Sequence, residues 1–178
     1  MQQIKWGIIG CGDVTEYKSG PAFNKVPDSQ LVAVMRRNAA KAADYASRHG
    51  VPKWYTDARR LINDPDINAI YVATPPSSHE EYALAAMEAG KPVYVEKPMA
   101  HTYASAMDMV KKANEGNHKL VVAHYRRRWP MFLKVKQLLE EKAIGDIRFV
   151  RIEMYKTPVK EEDLQDEKTA WRVDPAIA

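Results

Sequence analysis

The run Glu96-Lys97-Pro98 follows directly on the apolar stretch Pro92-Val93-Tyr94-Val95, in a chain that opens with Ile8-Ile9-Gly10-Cys11-Gly12. Together they set an amine, a group able to act as acid or base when its surroundings desolvate it, at the mouth of a dinucleotide site. The apolar run over residues 4–9 has the pattern of a strand buried on both faces. Turning sharply from such a strand into a helix, with the backbone close to a pyrophosphate, requires residues without a Cβ, and Gly10 and Gly12 supply them. The helix over residues 14–25 then points free N–H groups and its positive dipole end at the phosphates. The motif is incomplete. The third glycine of G-x-G-x-x-G falls on Thr15, and a bare glycine turn also serves strand-to-helix connections that hold no ligand. The strand-end lysine is what points from binding a nucleotide to using one.

Strand and helix patterns alternate from this turn to about Val122. Residues 31–35 read as a second strand and 39–49 as an alanine-rich helix capped by Asn38. A short strand over 53–55 precedes a helix over 58–62 capped by Thr56 or Asp57, and Asn63-Asp64-Pro65-Asp66 is a turn cluster. A fourth strand covers 67–73. The helix over 77–88 turns Leu84 and Met87 inward and ends at Gly90. The fifth strand is 92–95, the helix over 102–114 turns Ala104, Met107 and Val110 inward, and 119–123 is the sixth strand. This alternation predicts an α/β fold, a doubly wound parallel Rossmann sheet over residues 1–123, and with the glycine turn that span is read as an NAD(P)-binding domain.

Ligands of such sheets lie across the carboxyl ends of the strands. Those ends carry Gly10 and Gly12, Arg36 and Arg37, Thr74-Pro75-Pro76, Glu96-Lys97-Pro98, and His124 through Arg128. At the second strand an acid normally accepts the ribose 2′-hydroxyl, whereas an arginine pairs with a 2′-phosphate. Arg36 and Arg37 therefore favour NADP, with NAD open. Solvated arginines at a helix start fit the same residues, as does a guanidinium stacked on adenine, which would not choose between the cofactors.

Three blocks carry a likeness: Gly7-Ile8-Ile9-Gly10-Cys11-Gly12, then Tyr71-Val72-Ala73-Thr74-Pro75-Pro76-Ser77-Ser78-His79, then Gly90-Lys91-Pro92-Val93-Tyr94-Val95-Glu96-Lys97-Pro98. With the later Gly145-Asp146-Ile147-Arg148 and Trp171-Arg172, they make the chain resemble the Gfo/Idh/MocA oxidoreductases along nearly its whole length. The resemblance implies hydride transfer between a nicotinamide cofactor and a sugar, polyol or related secondary alcohol. It implies that Lys97 is the catalytic residue, buried beside the nicotinamide and the reacting carbon, where it orients the substrate hydroxyl or moves its proton. Glu96 would hold the nicotinamide ribose or the lysine, Pro98 would follow a cis bond, and His79 would help close the pocket. Cofactor contacts on this likeness are Gly10, Gly12, Asp13, Val14, Arg36, Arg37, Ala73, Thr74, Pro75, His79, Glu96, Lys97 and Arg172. Plainer readings stand beside these: His79 as a cap or packed residue, and Glu96 with Lys97 as a surface pair.

Residues 124–178 read as the incomplete beginning of a C-terminal substrate and oligomerisation domain. His124-Tyr125-Arg126-Arg127-Arg128-Trp129-Pro130 resembles the family's exit from the Rossmann sheet, although relatives often carry an asparagine at Arg126 or beside it. The three arginines suit a phosphate or a sugar acid, or simple solvation. Residues 131–142 form an amphipathic helix with Phe132, Val135, Leu138 and Leu139 on one face. The alternation over 147–155 predicts the first strand of an open, mostly antiparallel sheet. A chain of 178 residues holds one full domain and the start of another, and a second domain of comparable size would about double it. The expectation is an N-terminal fragment of a longer enzyme whose remaining catalytic Asp and His lie beyond Ala178. The alternatives are a short nucleotide-binding protein without turnover, and a family member that uses tightly bound NAD transiently in glycoside cleavage. Assembly into a homo-oligomer would run through the second domain.

Composition narrows the field further. With 46% hydrophobic and 28% charged residues the chain has the make-up of a globular protein, and no apolar stretch approaches membrane-spanning length. The N-terminus runs straight into a core strand without a signal-peptide pattern. One cysteine, Cys11, allows no internal disulfide and fits the cytoplasm; it reads as a packed residue, with a reactive thiol near the positive helix end as the alternative. The net charge of +4 comes without a nucleic-acid-binding motif, and suits an anionic cofactor and substrate. The five histidines are scattered and no Cys/His spacing matches a metal site.

Overall fold

In a computed structural model, described over residues 3–158 and 170–177, six strands form one parallel sheet: β1 (Ile4–Ile9), β2 (Ser29–Met35), β3 (Lys53–Tyr55), β4 (Ala69–Val72), β5 (Val93–Val95) and β6 (Leu120–Val122). They lie in the order β3-β2-β1-β4-β5-β6, the doubly wound Rossmann order. The sequence of the central strands explains their place. Ile8 and Ile9 are both fully buried, yet Ile8 belongs to the core on one side of the sheet and Ile9 to the core on the other. Val34 with Met35, and Tyr71 with Val72, repeat this division. A strand covered on both faces needs such continuous apolar runs, where one with a wet face would alternate.

Helices supply both covers. After β1 come α1 (Asp13–Tyr17) and α2 (Ser19–Phe23), and after β2 comes α3 (Ala39–His49). Phe23, Tyr45 and Ala46 pack from this side onto Ile8, Leu31, Val34 and Tyr71. From the other side α4 (Ala58–Ile62), α5 (His79–Glu88) and α6 (Tyr103–Glu115) bring Leu61, Ile62, Ala83, Ala86, Met87 and Met109 onto Ile9, Ile70, Val72, Val93 and Val95. The helix starts are set by side-chain oxygens: Asn38 accepts the Lys41 amide at 3.0 Å, Asp57 rather than Thr56 accepts the Arg60 amide at 2.9 Å, and Thr102 accepts the Ser105 amide at 3.1 Å.

Three expectations are corrected. The single helix over 14–25 is two short ones that break at Lys18. Pro21 explains the break, because it has no N–H to donate and its ring crowds the carbonyl four residues back, that of Tyr17. On α6 the inward residues are Ala106, Met109 and Ala113, whereas Ala104, Met107 and Val110 are exposed. This helix has two apolar stripes, and the core takes the one whose alanines permit close approach. Residues 147–155 form no strand: they pair with no segment among the described residues, and a strand exists only through ladder bonds to a neighbour.

Met1–Ala123 together with Asp174–Ala178 make one compact unit, and His124–Val173 a second. The final residues thus group with the first unit, where the sequence placed them in the second. Within the second unit, α7 (Pro130–Glu140) has the expected apolar stripe, but Phe132, Val135, Leu138 and Leu139 are all exposed. No helix among the described residues is long and apolar enough to cross a membrane.

The turn cluster before β4 organises a polar knot. The buried Asp64 carboxylate accepts Lys53 Nζ at 2.8 Å and the Tyr55 hydroxyl at 2.7 Å on Oδ2, and the Asp66 amide at 2.9 Å on Oδ1. Lys91 Nζ donates to the Asp64 carbonyl at 2.7 Å, so one residue ties β3 to the loops before β4 and β5. Burial pushes this carboxyl up, but the Lys53, Asp66 and Tyr55 donors outweigh it and bring it to about 2. A carboxyl depressed on folding stabilises the native state above its unfolded value and loses that contribution as pH falls through the folded one. We expect Asp64→Asn to lower urea-unfolding stability at neutral pH by about 1–3 kcal/mol. The gap from the parent should then close as pH is taken from the ordinary aspartate value towards about 2. Unfolding midpoints measured across that acid range check both parts.

Candidate functional site

Parallel strands send their carboxyl ends to one edge, and here a row of backbone bonds continues past each strand. Arg36 N donates to Tyr55 O at 3.1 Å, Gly10 N and Cys11 N donate to Met35 O at 3.0 and 3.1 Å, and Ala73 N donates to Ile9 O at 2.9 Å. Glu96 N bonds Val72 O at 2.9 Å and Ala123 N bonds Val95 O at 2.8 Å. The row brings Gly10, Arg36, Ala73 and Glu96 onto the same edge, each held by the strand beside it.

The glycine turn divides its work between two residues. Gly10 has φ +91°, and a Cβ there would lie 2.8–2.9 Å from Thr74 Cγ2, Ala73 C and Thr74 N. The fold itself demands that glycine. Gly12 has extended backbone at φ −126°, and the nearest atom to a Cβ would be Gly10 O at 4.0 Å. No packing among the described residues requires a glycine there, so its bare backbone is open space over which a pyrophosphate can lie. Asp13 and Val14 start the helix, the first exposed and the second half-buried. At the third position Thr15 is fully buried, and its hydroxyl donates to Gly12 O at 2.7 Å. The close approach that a third glycine normally permits is found at Gly20, where a Cβ would come within 2.2 Å of the Tyr45 hydroxyl and 2.3 Å of Thr15 O. That hydroxyl donates to Thr15 O at 2.8 Å.

Charge is placed around this turn with individual tethers. Arg36, half-buried, donates Nη1–H to Cys11 O at 3.2 Å, and Arg37 is exposed. Cys11 is fully buried, and burial pushes its thiol up to about 11 against the opposing pull of Arg36, so it is a packed residue rather than a reactive one. On the neighbouring edge the Glu96 carboxylate accepts the Tyr71 hydroxyl at 2.6 Å on Oε1 and the Lys97 amide at 3.1 Å on Oε2. Tyr71 is fully buried, and burial together with Glu96 holds its phenol well above the usual tyrosine range. Its oxygen also lies 3.1 Å from the Ser19 hydroxyl. Glu96 thus holds the backbone of Lys97, not its ammonium.

The Lys97–Pro98 bond is cis. The Lys97 side chain is exposed, so the expected burial is corrected: the residue stands past the end of β5, beyond the reach of the side chains that cover the sheet. Ala73, Thr74 and Pro75 are half-buried, and Ser78 Oγ donates to Thr74 Oγ1 at 2.8 Å. His79 is buried, with Nδ1 2.9 Å from Pro98 O and Nε2 2.7 Å from Thr74 O. It joins two loops from within and does not line an opening. Arg172 lies in a turn of the second unit, its guanidinium 5.5 Å over the Trp171 ring.

Sequence reasoning missed Tyr71, because only the pairing of Tyr71 with Tyr94 shows that its hydroxyl reaches Glu96, two places further on and just past the end of β5. It also missed the return of the chain's end. Ser77 N donates to Ile177 O at 3.2 Å and His101 Nε2 bonds Pro175 O at 2.8 Å. An open backbone turn, two cations at the second strand end, an anchored carboxylate and an exposed amine make an edge suited to a dinucleotide and to proton transfer beside it.

The sequence model of an oxidoreductase family with an NAD-binding Rossmann fold matches residues 4–124. The chain is 48% identical over 176 residues to Oxidoreductase P35 of Formosa agariphila, a match covering 99% of this chain and 54% of that protein. Among solved structures it is similar to the 3-ketoreductase KijD10 from Actinomadura kijaniata in complex with TDP-benzene and NADP, at 28% identity and TM-score 0.75, over 83% of this chain and 46% of that one. It is also similar to scyllo-inositol dehydrogenase from Lactobacillus casei with bound NAD(H) and scyllo-inositol, at 25% identity and TM-score 0.76, over 82% of this chain and 43% of that one. The chain spans about half the length of the curated relatives it matches.

The two glycines should separate on substitution. Gly10→Ala should lower the urea-unfolding free energy by about 1–3 kcal/mol, from strained backbone and collision with the end of β4. Gly12→Ala should stay within about 0.5 kcal/mol of the parent, as an unobstructed surface change does. Equal losses for both would contradict this division.

Proposed function

The chain belongs to the Gfo/Idh/MocA oxidoreductase family, and from that membership we propose that it is the cofactor-holding part of an NAD(P)-dependent dehydrogenase or reductase of a sugar, polyol or related secondary alcohol. One observation carries the proposal: the open backbone at Gly12, the arginines after β2 and the Glu96-Lys97 turn after β5 all belong to the same edge of one parallel sheet.

When bound, a nicotinamide cofactor supplies the hydride acceptor or donor. Backbone N–H groups at Gly12, Asp13 and Val14 would face the pyrophosphate, with no side chain at Gly12 to keep it away. Arg36 and Arg37 would hold a 2′-phosphate on the adenosine ribose, which favours NADP; the tether from Arg36 to Cys11 O positions the first, and the exposed second completes the pair. Ala73, Thr74 and Pro75 would bound the rest of the cofactor. Lys97 takes or returns the hydroxyl proton at the substrate oxygen as that carbon changes oxidation state, while Glu96 keeps the turn in place. The ketone chemistry named for the 3-ketoreductase and the polyol bound by the inositol dehydrogenase support a carbohydrate-like substrate. The exposed apolar stripe of α7 supports assembly through the second unit, and a single buried cysteine suits the reducing cytoplasm.

Titration with NADPH and NADH tests the cofactor reading. The parent should prefer NADPH, and the double substitution Arg36→Ala, Arg37→Ala should weaken NADPH by about 10–100-fold, the weight of charge-assisted bonds, while leaving NADH nearly unchanged. Lys97→Met should leave both affinities in place yet lower the rate of hydride transfer between the cofactor and a sugar or polyol by about 10²–10⁴-fold. Equal affinity for the two nucleotides before and after loss of the arginines would remove the case for the phosphate. Failure to bind either would remove the proposal.

A further inference from the structure

Tyr71 is fully buried, yet it carries a hydroxyl that a phenylalanine at the same place would spare the core. Its ring packs edge-on against Phe23 and in a stack with Tyr94, each at 5.3 Å, in one cluster with Ile8, Leu31 and Val34. An unbonded hydroxyl costs free energy in such a place, so the phenol needs partners. Both of them stand at the edge that carries the site: Glu96 Oε1 at 2.6 Å, just past β5, and Ser19 Oγ at 3.1 Å, the first residue of α2. The shorter contact has the length of a charge-assisted O–H···O bond. Resting on the dehydrogenase reading, we propose that Tyr71 is a positioning residue for the cofactor, whose hydroxyl sets the Glu96 carboxylate to receive the hydroxyls of the nicotinamide ribose.

A carboxylate only accepts, so the single phenolic proton is committed to Glu96. At the other contact the phenol oxygen is left to accept, and Ser19 has a proton for it or for Val14 O at 3.3 Å. Burial, and then the bond to Glu96, hold the phenol well above the usual tyrosine range, which keeps it a donor at neutral pH. On the half-buried carboxylate, Oε1 takes Tyr71 and Oε2 takes the Lys97 amide at 3.1 Å, with no other bond among the described residues. Of about four acceptor sites on the two oxygens this leaves one on each, a pair suited to the neighbouring hydroxyls of a ribose. The bond to Lys97 joins adjacent residues and by itself leaves the Glu96 side chain free to turn. Tyr71 reaches it from a different strand and removes that freedom. Through Ser19 the same hydroxyl also touches the start of α2, so the helices after the glycine turn and the Lys97 turn share one anchor.

Tyr71→Phe in the 178-residue chain removes the hydroxyl and keeps the ring. Without cofactor, hydrogen exchange at the Lys97 amide should speed up about fivefold, the weight of one weakened bond, while the Val72 amide keeps its rate. An unchanged Lys97 amide overturns the proposal whatever binds. NADPH affinity should fall about tenfold, whereas adenosine 2′,5′-bisphosphate, which has no nicotinamide ribose, should bind as it does to the parent. Equal losses for the two ligands would show a merely structural role and overturn the proposal, as would an unchanged NADPH affinity. Glu96→Gln should show the same division between the ligands, and the double variant should lose little more than either single one, because both changes act on one carboxylate. Additive losses, or full NADPH affinity in Glu96→Gln, would likewise overturn it. A parent that binds neither ligand would count instead against the functional reading, and the Lys97 amide would still decide whether Tyr71 holds the turn.

Discussion

The edge of this sheet works because backbone pairing does not stop where the strands do. Bonds from Arg36, Gly10, Cys11, Ala73, Glu96 and Ala123 to the neighbouring strands carry the ladder into the loops. Each contributes modestly, on the order of 0.5–1.5 kcal/mol net, but breaking one would strand a polar group beside the core at a larger cost. The loops therefore cannot drift independently, and side chains of quite different chemistry share one rigid frame. Consistent with this, no buried side-chain polar atom among the described residues lacks a partner.

On that frame charge is fixed mostly by neutral groups. A cysteine carbonyl holds Arg36, and a tyrosine hydroxyl and a main-chain amide hold Glu96. Ion pairing would use up the charges, whereas carbonyl, hydroxyl and amide partners orient them and leave them available to a ligand. The glycines follow a similar economy of roles. Gly10 satisfies the chain's own packing, Gly12 leaves space for something else, and Gly20 performs the close helix contact for which Thr15 is too large.

The second unit shows the opposite situation. Its helix α7 has a regular apolar stripe, and the Trp129 ring lies 5.6 Å from Tyr125 in a tilted contact and 6.2 Å from Phe132 in a stacked one. Yet the stripe is exposed, and residues 147–155 pair with nothing described. Period and propensity are local and suffice for the helix; burial and strand pairing need a second surface.

Much of this was legible in residue order. Apolar runs at residues 6–9 and 31–35 suit strands covered on both faces, and the helix cap at Asn38 follows from a side chain that bonds a nearby amide. The motif around Glu96-Lys97-Pro98 marked the site because its residues are adjacent in the chain. What sequence left undetermined was everything set by approach between distant segments. Two apolar stripes on α6 look equivalent until one meets the core. Tyr71 looks like any core aromatic until register puts its hydroxyl on Glu96, and His79 looks like a pocket residue until two carbonyls close on its ring. Local chemistry decided which elements form and which groups are present. Tertiary packing decided which of those groups are bonded, buried or left open to a ligand, because that depends on distances no single stretch of chain contains.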